Sequence, residues 1–159
     1  MDIIQKARMR AKKAHHGQTR KGSAAPYFTH PEAVAQLVQE SGGSDYLIAA
    51  AYLHDVLEDT NTPIHDFPDE VRNVVEKLTH KGGYAHAKID AIKKLEGDKD
   101  AILVKLADRL HNLSDSSFKR DRYASRKSVQ QSTNILLAMA VDAGLAHTKV
   151  FRDLDKLMR

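Results

Sequence analysis

Ala50-Ala-Tyr-Leu-His54-Asp55-Val-Leu-Glu58-Asp59-Thr60 is the stretch on which the reading of this chain turns. An imidazole and a carboxylate stand side by side in an otherwise apolar segment of helical character. A second apolar segment, Ala101-Ile-Leu-Val-Lys-Leu-Ala-Asp108-Arg-Leu-His-Asn112-Leu113, carries its own central acid. Burying a carboxylate is costly unless a cation compensates it. Two apolar helices with unexplained acids therefore point to a divalent metal ion held between them. Asp55 and Asp108 are expected to approach one point in space.

The rest of the chain punctuates as helices. Asp2–His15 is rich in helix formers, with Ile3, Ile4, Ala7, Ala11 and Ala14 near one face. Gly17–Tyr27 reads as a loop. Pro31 suits the first turn of a helix running to about Ser41, which Gly42-Gly43 ends. Ser44 or Asp45 caps the helix that leads to His54 and Asp55. Thr60–Pro63 is a turn, and Pro68 opens a helix with Val71, Val74, Val75 and Leu78 on one side. Lys81-Gly82-Gly83 is a break. Further helices are expected at His86–Leu95, Asp100–Asn112, Arg122–Asp142 and His147–Met158. Strand-like alternation is absent. The expectation is an all-α, compact multi-helix bundle, with residues 1–159 forming a single domain.

Composition narrows the function classes. The chain has 159 residues, 42% hydrophobic and 29% charged, as expected of a folded globule. It contains no cysteine, which excludes disulfides and thiolate metal sites. No apolar run is long enough to span a bilayer, and the N-terminus lacks a signal-peptide apolar region. A cytoplasmic protein without membrane contact is expected. The net charge of +4 is no nucleic-acid signature, and no nucleic-acid partner is expected. It favours encounter with an acidic small molecule such as a nucleotide phosphate. Oligomeric state is not legible.

The candidate ligands are His30, His54, Asp55 and Asp108. Two imidazoles and two carboxylates suit Mn²⁺, Fe²⁺ or Zn²⁺, and ligand type alone does not decide among them. Glu58 follows His54 by one helical turn, and Asp59 follows Asp55 in the same way. Acids placed there can orient a water, accept its proton or protonate a leaving group. Asn112 shares the face of Asp108, one turn on. Arg20 and Lys21 lie in a loop expected to be flexible. An Arg plane there can stack on a base or bind phosphate.

Four segments carry a family resemblance: His16-Gly17-Gln18-Thr19-Arg20-Lys21, Pro26-Tyr27-Phe28-Thr29-His30-Pro31, Leu53–Thr60 and Val104–Leu113. They resemble HD-domain phosphohydrolases, and more narrowly the hydrolase domain of the RelA/SpoT family and its stand-alone Mesh-type relatives. The resemblance implies hydrolysis of guanosine 3′,5′-bis(diphosphate) and its pentaphosphate relative, with release of the 3′-pyrophosphate and formation of GDP or GTP. It implies Mn²⁺ held by His30, His54, Asp55 and Asp108. It implies Glu58 and Asp59 as the catalytic acidic pair, Arg20 against the guanine base with Lys21 beside it, and Asn112 as a nucleotide contact. Two departures stand out. The Arg20–Pro26 loop is one residue longer than the usual bacterial pattern, and Ser114-Asp115 stands where many relatives carry Arg-Thr or Arg-Asp. No synthetase segment follows, so the expected activity is hydrolysis only. An HD phosphohydrolase acting on another phosphorylated nucleotide or cofactor such as NADPH is the alternative, as is a non-catalytic nucleotide-binding regulator. Glu58 and Asp59 argue against the regulator, because a pure binder need not keep such acids.

Overall fold

Alanines set the closest packing in this molecule. In α3 (Asp45–Leu53), Ala49, Ala50 and Ala51 are fully buried. Small side chains let neighbouring backbones come close. Accordingly α1 (Ile3–Ala14), which buries Ala7 and Ala11, lies along one side of α3. On other sides α3 meets α2 (Thr29–Glu40) and α5 (Asp69–Leu78). The computed structural model describes residues 1–80, 85–115 and 126–159, with the backbone alone at 85–87. Among them the fold is all-α, with no strand and one isolated bridge, Thr19 to Pro26, within the loop after α1.

The remaining helices complete the frame around the site. α4 is one turn, Val56–Asp59. α6 spans Ala85–Lys93 and α7 spans Lys99–Ser114. α8 runs Lys127–Asp142 and α9 runs Lys149–Leu157. α7 is central: it packs on α2, α3, α5, α8 and α9. Its burial runs almost unbroken from Ala101 to Leu110, and that run includes Asp108 and Arg109. The core it joins reaches from Ala7 to Leu154.

Side-chain caps start four of these helices. Asp2 accepts from Gln5 N at 2.8 Å, Ser44 from Leu47 N at 3.2 Å, Asp98 from Ala101 N at 3.1 Å and Thr148 from Phe151 N at 3.3 Å. Each satisfies one amide that the helix leaves without an internal partner.

Two expectations need correction. His54 and Asp55 do not lie within a helix. α3 ends at Leu53, and the pair forms the junction to α4, where Asp55 has φ −103° and ψ −3°. At this junction the two adjacent side chains meet, with His54 Nε2 3.0 Å from Asp55 Oδ2. The helix expected from Arg122 begins at Lys127, after the extended Arg126; residues 122–125 lie outside the described residues, as does the break expected at Lys81-Gly82-Gly83.

Candidate metal centre and its cleft

Four side chains from three separate places in the fold meet at one point. His30 comes from the first turn of α2, His54 and Asp55 from the α3–α4 junction, and Asp108 from the middle of α7. One ligand atom from each lies within 4.8 Å of all the others. His30 Nε2 is 2.8 Å from Asp108 Oδ1 and 3.7 Å from Asp55 Oδ2. His54 Nε2 is 3.0 Å from Asp55 Oδ2 and 3.3 Å from Asp108 Oδ1. The expected approach of Asp55 to Asp108 is what the fold builds.

The donor set fits a divalent cation on its chemistry. His54 Nδ1 is 2.6 Å from the Ala51 carbonyl, which can only accept, so Nδ1 carries a proton. In the neutral ring Nε2 then has a lone pair, and it faces two carboxylates. Lone pairs at such distances need a proton or a metal ion between them. Without a cation, burial works against a charged His54, but Asp55 and Asp108 outweigh it and raise its pKa well above the ordinary value. Burial likewise opposes ionisation of Asp108, yet Lys105 and the two histidines hold it well below the usual carboxylate range. Asp55 is lowered in the same way, with His54 overcoming desolvation.

His30, Asp55 and Asp108 line a cleft of about 490 Å³. Glu58 and Asp59, on the single turn of α4, line it too. Both open to solvent at the cleft, but each is enclosed enough on the protein side for desolvation to act. Desolvation first, then the charge of Asp55, pushes Glu58 up to about 7 and raises Asp59 as well. Glu58 Oε1 accepts from His80 N at 3.2 Å. A carboxyl near 7 is poised to exchange a proton at neutral pH.

Arg20, Lys21 and Asn112 line the same cleft. Arg20 departs from expectation. It is held rather than flexible: only 3% exposed, with Nε donating to Asp115 Oδ2 at 3.1 Å and Nη2 to Asn112 Oδ1 at 2.9 Å. Its guanidinium lies over the Tyr27 ring, 5.8 Å from the centroid. Asp115, the second residue of the Ser114-Asp115 pair, is thus a fixed partner for Arg20.

Sequence reasoning missed four contributors. Tyr27 donates its hydroxyl to Asp55 Oδ2 at 2.6 Å, and Lys105 Nζ donates to Asp108 Oδ2 at 2.9 Å. His111 meets His30, and Lys88 lines the cleft, its pKa lowered by burial and by nearby cations. Lys105 was findable, since it precedes Asp108 by three residues on one helix face. Tyr27 depends on a loop conformation that periodicity does not report. Arg109 could have been read as the ion partner of Asp108; it instead turns to α8, contacting the Val129 carbonyl, Ser132 Oγ and Thr133 Oγ1.

Two helices and one interhelical junction, presenting two imidazoles and two carboxylates to one point, define a scaffold for a metal centre on an all-α frame. A family model for the HD domain matches residues 7–140, and the chain belongs to that family. It is 36% identical over 123 residues to guanosine-3′,5′-bis(diphosphate) 3′-pyrophosphohydrolase MESH1 of Xenopus tropicalis, covering 71% of this chain and 68% of that protein. It is 33% identical over 160 residues to the bifunctional (p)ppGpp synthase/hydrolase SpoT of Escherichia coli K12, covering 92% of this chain and 22% of that protein. A probable guanosine-3′,5′-bis(diphosphate) 3′-pyrophosphohydrolase of Synechocystis is 39% identical over 114 residues, 62% of this chain and 15% of the relative. The chain therefore spans about a fifth or less of several of these longer relatives. A solved structure of a metazoan ortholog of SpoT, described as hydrolyzing ppGpp, superposes with a TM-score of 0.74 at 25% identity, over 100% of this chain and 95% of that one. The resemblance to RelA/SpoT-type and Mesh-type domains is borne out. No helix among the described residues is long and apolar enough to cross a membrane.

Proposed function

We propose that residues 1–159 act as one hydrolase domain that cleaves the 3′-pyrophosphate from guanosine 3′,5′-bis(diphosphate) or its pentaphosphate relative. The observation that carries this reading is the shared cleft: His30, Asp55 and Asp108 of the cluster that His54 completes, the acids Glu58 and Asp59, and the polar wall of Arg20, Lys21 and Asn112 all line it. The names of the relatives supply the substrate class.

His30, His54, Asp55 and Asp108 would hold a divalent cation, Mn²⁺ in this proposal, which when bound supplies positive charge to phosphate oxygens and acidifies water. Glu58 takes a proton from the attacking water as its oxygen bonds to the phosphorus carried by the ribose 3′-oxygen. The bond from that phosphorus to O3′ breaks, and Asp59, its own pKa raised, returns a proton to the departing oxygen. Arg20, fixed by Asp115 and Asn112, lines the part of the cleft that takes the base. Lys21, exposed at the rim, attracts phosphate. Asn112 contacts the nucleotide with whatever valence Arg20 leaves. Such groups contribute by positioning.

The test is a panel of phosphorylated nucleotides and NADPH incubated with the protein and Mn²⁺, resolved by chromatography. Guanosine tetraphosphate is expected to yield GDP and intact pyrophosphate in equal amounts. Early appearance of inorganic phosphate, or consumption of NADPH with no turnover of the guanosine substrate, rejects the proposal.

A further inference from the structure

Two ring nitrogens face each other at the edge of the cluster. His30 Nδ1 lies 2.7 Å from His111 Nδ1, and the rings meet edge to edge, with centroids 4.9 Å apart and an interplanar angle of 27°. At that separation one nitrogen carries the proton and the other accepts it, since two N–H groups or two lone pairs repel. His30 turns Nε2 toward the carboxylates, 2.8 Å from Asp108 Oδ1. A neutral histidine that gives its Nε2 lone pair to a cation keeps its proton on Nδ1. His30 Nδ1–H therefore donates to His111 Nδ1, and the His111 proton resides on Nε2. That Nε2 faces Asp115 Oδ2 at 3.8 Å, longer than a hydrogen bond. The same carboxylate oxygen accepts from Arg20 Nε.

We infer that His111 is a positioning residue of the cation site, whose Nδ1 fixes the tautomer and ring orientation that aim His30 Nε2 at the cluster. It ligates nothing itself. The inference rests on the reading that His30, His54, Asp55 and Asp108 hold a divalent cation. His54 has a matching device, since its Nδ1 proton is bound by the Ala51 carbonyl. The two imidazoles are thus oriented by unlike partners. One is a backbone carbonyl that no substitution removes; the other is a side chain that a single substitution removes. His111 is also close in sequence to the two residues that hold Arg20 at the cleft's polar wall. It lies one residue before Asn112 and one turn before Asp115, so the group that orients His30 shares a helix end with the groups that fix Arg20.

The experiment compares wild type with three variants, His111→Asn, His111→Gln and His111→Leu. Mn²⁺ affinity is measured by calorimetry, and Co²⁺ is added to record the visible ligand-field spectrum. Asn places a carbonyl oxygen close to the position of Nδ1, Gln carries its oxygen about one bond further out, and Leu has no acceptor. Loss of an orienting partner typically weakens metal affinity about 10–100-fold, so Leu and Gln are expected to bind Mn²⁺ that much more weakly, and Asn within about threefold of wild type. The Co²⁺ spectrum is expected to change in Leu and Gln and to return in Asn. Asn and Leu are close in shape, so a role confined to packing would not separate those two, whereas an acceptor role does. Because His111 borders a surface groove lined by Leu37, Leu110 and Leu157, its truncation seals no internal void. Should Leu nevertheless fail to fold, the Asn–Gln comparison decides alone. Wild type that takes up neither Mn²⁺ nor Co²⁺ rejects the cation reading itself. Wild type that binds, with Asn and Gln alike in affinity and spectrum, overturns the inference while leaving the cation reading standing.

Discussion

Glu58 and Asp108 are both carboxylates lining one cleft, and their surroundings drive them in opposite directions. Asp108 is lowered by Lys105 and two histidines, whereas Glu58 is raised to about 7 by desolvation and Asp55. The first is held as an anion, as a ligand must be; the second can give and take a proton. Asp108→Ala is accordingly expected to lose bound cation and activity together, because a hard oxygen ligand is gone and the histidines lose a partner. Elemental analysis of the purified variant is the check, and full occupancy with full activity would remove Asp108 from the ligand set. Glu58→Gln is expected to keep the cation and lose about 10²–10⁴ in rate, since an amide cannot accept the water's proton. A pH profile tests the same role. A base works only when ionised, so kcat/KM rises as pH climbs through the pKa of Glu58. That value is about 7 without a cation, and positive charge beside Asp55 lowers it, which places the acid limb below 7. Glu58→Gln is expected to abolish this limb; a limb that survives in the variant belongs to another group.

The elements place these residues through turns as much as through helices. Gly43, between α2 and α3, shows how little room one turn has. A Cβ at this position would lie 2.5 Å from Val38 Cγ1 and 3.0 Å from the Val38 carbonyl oxygen, and Val38 is fully buried. Gly43→Ala must push α2 away from the start of α3, and overpacking of this kind costs about 1–3 kcal/mol. A thermal midpoint several degrees below wild type is expected, and an unchanged midpoint would mean that Val38 yields freely. Most helices were legible because apolar periodicity reaches the core directly: Ser44 caps α3 as expected, and Val71, Val74 and Val75 are buried on one face of α5. The approach of Asp55 to Asp108 was legible because buried acids in apolar runs have few explanations. What escaped were features fixed by chain reversals. The break at His54-Asp55 carries no glycine or proline to announce it. Tyr27 reaches Asp55 only because the loop after α1 closes through Thr19 and Pro26. Arg20 looked mobile in a glycine-bearing loop, and its anchor, Asp115, lies 95 residues away.

At the scale of the whole molecule, the cluster joins parts of the chain that lie far apart in sequence. α2, the α3–α4 junction and α7 each contribute, and α7 in turn packs against five other helices. A cation bound there crosslinks the folded state and has no comparable site in the unfolded chain, so its binding free energy adds to folding stability. With free Mn²⁺ at about 100 times its dissociation constant the gain is about 2.7 kcal/mol. For a domain of this size each kcal/mol moves the midpoint by about 2–4 °C, so the expected rise is about 5–10 °C. Calorimetric melts in chelator and in excess Mn²⁺ measure it. Asp108→Ala, melted at the same two conditions, separates the site from general ionic effects: its midpoint is expected to stay where it is when Mn²⁺ is added. Equal rises in both proteins would place the stabilising cation elsewhere on the surface. No rise in wild type at a concentration shown by calorimetry to saturate it would mean that the ion binds the unfolded chain as well as the folded one, against a site assembled only by the fold.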